Sequence, residues 1–162
     1  MSRRTFTTES LRTFFERFES LSAASDVDSL VAMYAPNFMI AGPNGAQVVR
    51  PADILRAIPK RKQLLDSAGH RETALIGFEE TPLTDRYSLV RVEWRWRFER
   101  AGITPTTITL PSRFIVDCGG DVPHIVLYMN DTDVATVAQK RGLLPSMERT
   151  HDADVGPPER SA

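Results

Sequence analysis

A single cysteine, Cys118, is all the thiol chemistry that the 162 residues hold. No internal disulfide can form, which fits a reducing compartment. Cys118 stands in VDCGGD, at an expected strand end and turn, and reads as a small apolar filler. Histidine is scarce too. His70, His124 and His151 are scattered without metal-ligand spacing, so no metal site is expected. Neither sign of charge is in excess: 20 basic and 21 acidic residues leave a formal net charge of −1. That balance gives no electrostatic pull toward nucleic acid or an anionic membrane. PKRK at 59–62 has no accompanying aromatic stripe and reads as a solvated helix face. No apolar run approaches the ~18 residues of a membrane span. SRRTF at 2–6 looks like a twin-arginine export signal, but TTESLRTFFER follows, with Glu9, Arg12, Glu16 and Arg17 where an apolar stretch is required. A cytoplasmic protein is therefore expected. No glycine-rich phosphate loop of standard spacing occurs, GPNG at 42–45 being a turn, and no cofactor is expected.

What the chain does have is a change of hydrophobic period partway along. Leu11, Phe14, Phe15, Phe18 and Leu21 recur at helical spacing, behind a cap at Thr7 or Thr8. Asp26 opens a shorter helix whose buried face is Val27, Leu30, Val31 and Tyr34, ended by Pro36. Phe38 to Ile40 and Gln47 to Val49 read as short strands about the turn. Pro51 opens a third helix, with Pro59 expected to kink or split it. From His70 onward the period becomes two. Strands are expected at 70–80, 85–100, 104–117 and 122–130, an antiparallel meander. Asp131 or Thr132 caps a last helix that Gly142 stops. One domain over 1–145 follows, with 146–162 a polar disordered tail.

The clearest alternation is VRVEWRWRFER, Val90 to Arg100. Val90, Val92, Trp94, Trp96 and Phe98 share one face, and Arg91, Glu93, Arg95, Arg97 and Glu99 the other. Helices first, then long strands, then a closing helix describe an α+β domain, with the sheet wrapped around the N-terminal helices as a cone.

Four stretches carry a resemblance: DVDSLVAMYAPNF (26–38), RPADILRAI (50–58), VRVEWRWRF (90–98) and VLYMNDTDVATVAQKRGLLP (126–145). Together they resemble the SnoaL-like polyketide cyclase group, within the nuclear-transport-factor-2-like superfamily that also holds ketosteroid isomerase and scytalone dehydratase. The resemblance implies a cone-shaped pocket between the concave sheet face and the first helices. It also implies a homodimer packed through the outer sheet face. Lining would come from Phe14, Phe18, Tyr34, Trp94, Trp96, Ser112, Phe114 and Tyr128.

Enzymes on such a scaffold perform acid–base chemistry in an apolar pocket, where a carboxylic acid is kept protonated near neutral pH. The ketosteroid isomerase pattern is absent here. Gly42 precedes Pro43 where that family has a basic carboxylate, Pro111 or Ser112 replaces its acidic partner, and Phe14, Phe15 and Phe18 stand where it has a tyrosine. The cyclase aspartate has no matching residue either. His70 and Glu72, two apart, are expected to share a strand face with Ala74, Ile76 and Phe78, and would form a base and its orienting partner if that face is inward. Tyr34 is a third candidate through its hydroxyl. Ser112 interrupts the apolar run Ile108, Leu110, Phe114 and Val116, so its hydroxyl needs a partner. Tyr128 and Asn130 share a face whose direction the pattern leaves open. Two readings stand: a cofactor-independent isomerase, cyclase or dehydratase acting on a small apolar or aromatic molecule, or a non-catalytic ligand-binding or dimerisation module.

Overall fold

The computed structural model describes residues 8–144. The expected Thr7 cap and the tail from Ser146 lie outside that span. Helix α1, Thr8–Ala24, is followed by α2, Val27–Val31. Strands β1, Tyr34–Gly42, and β2, Gly45–Val49, form a hairpin over Pro43 and Asn44. Helix α3, Pro51–Ser67, leads to β3, His70–Pro82, β4, Tyr87–Arg100, β5, Ile103–Asp117, and β6, His124–Met129. Helix α4, Val134–Lys140, ends the described chain.

The strands form one open six-stranded sheet in the order β2-β1-β6-β5-β4-β3. The meander from β3 to β6 is antiparallel throughout. The sheet as a whole is mixed, because β1 lies parallel to β6. Parallel pairing is what the long connection from β1 out through α3 and back permits.

Local chemistry sets the boundaries. The chain leaves α1 through Ser25, a non-glycine residue at φ 55°. The N–H of Asp26 then reaches back to the Leu21 carbonyl at 3.1 Å, the six-to-one bond of a Schellman closure. The Asp26 side chain accepts the Ser29 N–H and starts α2. That helix stops at Val31, so Tyr34 is not its last apolar residue but the first residue of β1, paired with Ile125. A five-residue helix has too few internal hydrogen bonds to outlast the strand pairing beyond it. Pro59 lies within α3, which is assigned as one helix from Pro51 to Ser67. Asp133, rather than Asp131 or Thr132, caps α4 by accepting the Ala135 and Thr136 N–H groups. Gly142, at φ 76°, follows its end.

The core lies between the concave sheet face and α1. Leu11 and Phe15 of α1 are fully buried against Val90, Val92, Phe98, Phe114 and Val116. Val134 and Ala138 of α4, with Leu143 and Leu144, close the same core. A smaller cluster of Phe38, Val49 and Ile54 joins the β1–β2 hairpin to α3.

Candidate functional site

Strict alternation places both tryptophans on the concave face. Trp94 and Trp96 are 5% and 8% exposed, and both belong to the main core. The Phe18 ring lies 6.0 Å from Trp94 and 6.0 Å from Phe114. Phe15 lies 4.8 Å from Phe114, and Phe14 meets Phe15 edge-on at 5.2 Å. Tyr34 packs on Phe38 at 4.4 Å and on Phe18 at 6.1 Å. Tyr128 stacks on Phe114 at 4.8 Å with an interplanar angle of 17°.

Polar groups are set into these rings as a line. Ser112, 2% exposed, pairs with Val92 of β4 and so points inward. Its Oγ donates to Asn130 Oδ1 at 2.8 Å. The Nδ2 of Asn130 donates in turn to the Tyr128 hydroxyl. Tyr128 pairs with Phe114, which settles the direction of its face: Tyr128 and Asn130 are inward. Burial first, and then the neighbouring Tyr128, push the Tyr34 phenol well above its ordinary range, with Arg61 pulling the other way. It stays a neutral donor at any physiological pH.

The expected His70–Glu72 pair does not form. His70 pairs with inward Phe98, whereas Glu72 pairs with outward Arg97. A β-bulge at Arg71 inserts an extra residue and flips the parity. Glu72 sits on the outer face with its carboxylate 3.8 Å from Arg97. A second bulge, at Ile76, flips the strand again, so Ala74 and Phe78 also face opposite ways. The partner His70 does have is Thr73, with Nε2 2.8 Å from its Oγ1. Half-burial is the largest influence on the imidazole and holds it below its usual pKa, partly offset by a backbone hydrogen bond at Glu72. Its ring lies 5.6 Å from Phe98.

Beyond the second bulge the strand regains the parity of His70, and a carboxylate that was not among the candidates lies on the inward face. Glu80 pairs with Val90 and faces inward. Ser88 Oγ donates to Glu80 Oε1 at 2.9 Å. Glu80 Oε2 is buried with no hydrogen-bond partner. Cys118 lies in the same electrostatic neighbourhood. Burial, followed by the charges of Glu80 and Asp117, pushes its thiol up to about 11, and a hydrogen bond with Ser88 acts oppositely. A thiol so held is protonated at neutral pH and a poor nucleophile. The two bulges cancel over the length of the strand, so Glu80 keeps the parity of His70, as plain alternation has it.

Elsewhere, an open cleft of about 470 Å³ lies between the α1–α2 turn and α3, bordered by Ser25, Ile58, Pro59, Lys60, Lys62 and Asp66. Among the described residues no three His, Cys, Asp or Glu side chains converge as a metal site would need. No helix among them is long and apolar enough to cross a membrane.

The outer sheet face has two halves. On β3 and β4, Arg91 lies 4.0 Å from Glu79 and 3.6 Å from Glu93, and Arg97 lies 3.8 Å from both Glu72 and Glu99. Toward the other edge the pairing aligns an apolar row across five strands: Val48, Met39, Leu127, Ile115 and Leu89.

Solved structures share this architecture. The beta subunit of benzoate 1,2-dioxygenase from Burkholderia mallei superposes with a TM-score of 0.61 at 18% identity, covering 82% of this chain and 98% of that one. An NTF2-like protein with a cystatin-like fold from Novosphingobium aromaticivorans gives 0.63 at 18% identity, covering 85% and 88%. A putative scytalone dehydratase from the same organism gives 0.58 at 7% identity, covering 74% and 78%. No protein-family profile and no curated protein sequence matches the chain. The fold is thus the nuclear-transport-factor-2-like, cystatin-like α+β fold, the one implied by the resemblance in the sequence. At these identities the likeness concerns fold, which hosts many unrelated activities.

Proposed function

We propose that the chain is a small-molecule pocket protein whose site is the concave sheet face and whose ligand is a flat apolar or aromatic compound. The observation that carries this reading is the line Ser112–Asn130–Tyr128, set among the rings of Phe18, Trp94 and Phe114. A few polar groups fixed within an apolar, aromatic surround are what orient a ligand in such sites. A second reading, cofactor-independent acid–base catalysis as an isomerase, cyclase or dehydratase, is favoured by one feature. The inward Glu80 carboxyl has an oxygen without a partner, and a catalytic role is one of the reasons such a buried group is kept. The outer face, with its apolar row beside paired charges, supports assembly as a homodimer.

The test is a panel of bicyclic aromatic ketones, phenols and hydrocarbons, read by melting temperature and by the emission of Trp94 and Trp96. Binding compounds raise the melting temperature and alter that emission. Silence from every compound at millimolar concentration removes the pocket reading. Any compound that binds is then incubated with the protein, and mass spectrometry and chromatography show whether it is converted. Conversion that Glu80→Gln abolishes supports the enzyme, and binding without conversion supports the module.

A further inference from the structure

The open cleft between the α1–α2 turn and α3 lies apart from the concave face and has a chemistry of its own. Its volume of about 470 Å³ falls within the roughly 300–1,000 Å³ of clefts that hold small molecules. Positions 58, 59, 62, 63 and 66 of α3 border it, a spacing that makes one helical face. Its apolar surface comes from Ile58 and Pro59 on that face and from Val27 opposite. All three are aliphatic, so a flat compound finds no aromatic ring to stack on. Ile58 is half-buried and packs against Phe38, Val49 and Ile54. The floor of the cleft is therefore the outer side of the smaller core.

Charge stands at the same edge. The PKRK run at 59–62 gives the cleft two ammonium groups, Lys60 and Lys62, against the single carboxylate of Asp66. Lys62 Nζ donates to Asp66 at 2.6 Å. That bond uses one of the three N–H donors that an ammonium carries. Lys60 forms no ion pair among the described residues. The lining thus pairs an aliphatic floor with an excess of positive charge.

From this lining we infer a second binding site, for a free aliphatic carboxylate of medium chain length. The chain lies over Val27, Ile58 and Pro59, and the carboxylate accepts from Lys60 and from the remaining N–H groups of Lys62. The site does not depend on the concave-face pocket proposed above.

The test is a nuclear magnetic resonance titration of the full chain, labelled with nitrogen-15. Octanoate and octylammonium have chains of equal length and opposite charge. Octanoate should shift the amide resonances of Val27, Ile58, Lys60 and Gln63, with a Kd roughly tenfold below that of octylammonium. Butanoate should bind more weakly than octanoate, because it covers less of the apolar floor. Lys60→Glu should erase the preference for octanoate over octylammonium. Gln63 is exposed, and Gln63→Trp should fill the cleft and abolish binding of both. Each variant should keep the far-ultraviolet circular dichroism of the wild type. Equal affinity for octanoate and octylammonium, or for octanoate and butanoate, overturns the inference. So does octanoate that shifts only concave-face residues such as Trp94 and Tyr128, a result that supports the pocket reading instead. No shift with octanoate at millimolar concentration removes this second site and leaves the concave-face reading untouched.

Discussion

Tyr34 and Ser25 show how single side chains depart from their usual states here, and both departures are measurable. Burial raises the Tyr34 phenol above its ordinary value. The folded state therefore holds that proton more tightly than the unfolded chain, whose tyrosines titrate near ~10. Stability from this source is complete below that pH and declines as pH rises beyond it, because the unfolded chain gains charge first. Urea unfolding between pH 8 and 11 should show the decline, and Tyr34→Phe should reduce its slope. Ser25 sits at φ 55°, where a Cβ is strained by ~1–2 kcal/mol. Ser25→Gly should add about 1 kcal/mol of stability, less the entropy glycine costs, and an unchanged midpoint would mean that the Schellman closure absorbs no strain. His70 shifts the other way. Its folded pKa is depressed by burial, so its contribution is present above the unfolded value near ~6.5 and is lost as pH falls through the folded value. Of the candidate residues, Ser112 was legible in the sequence, since a lone hydroxyl in an apolar run demands a partner and Asn130 provides one. Glu72 was not, because one inserted residue at Arg71 reverses the side chains from Glu72 to Leu75, until the bulge at Ile76.

Strand β3 is the element that decides which groups enter the site. Its two bulges break the register with β4, and a neighbouring helix braces the second. Glu19 of α1 accepts the Leu75 N–H at 2.7 Å across 56 residues of sequence, just before the Ile76 bulge. A hydrogen bond to a charged group contributes ~1.5–3 kcal/mol. Glu19→Ala should cost that much in urea unfolding, and Glu19→Gln about half. A cost below ~0.5 kcal/mol for Glu19→Ala would show that the bulge holds without its brace. The entry to β3 is as constrained. Gly69 has φ 85°, and a Cβ there would lie 2.5 Å from the Glu99 carbonyl oxygen. Gly69→Ala should therefore cost more than the ~1–2 kcal/mol of backbone strain alone. The long regular strands β4 and β5 were readable from period two, since nothing interrupts their alternation until the bulge near Arg100. Helix α2 was overextended in the sequence reading because Tyr34 suits a helical apolar face and a strand equally, and only the β6 partner at Ile125 distinguishes them.

At the scale of the whole molecule, the outer face poses a choice between two kinds of surface. The sequence places Arg91, Glu93, Arg95 and Arg97 on the outer sheet face, the face through which the resemblance implies a homodimer. Most of these charges already find partners within the chain at 3.6–4.0 Å, and exposed pairs of this kind contribute ~0–1 kcal/mol each. They leave little attraction for a second subunit. The apolar row is different. Met39 is 39% exposed and Val48 64%, on strands that belong to one continuous sheet, and an apolar band of this extent marks an interaction surface. The row was hidden in the sequence because its five members come from five separate strands and meet only through register. The homodimer proposed here therefore packs through Val48, Met39, Leu127, Ile115 and Leu89, with the charged half setting orientation. Sedimentation at micromolar protein should give twice the chain mass. Met39→Glu and Leu127→Glu should each give monomers with unchanged far-ultraviolet circular dichroism. Raising salt to 1 M shortens the screening length to ~3 Å and should leave the wild-type dimer intact. A dimer that salt dissociates and Met39→Glu spares would return the interface to the charged half, and a monomeric wild type would remove the interface altogether.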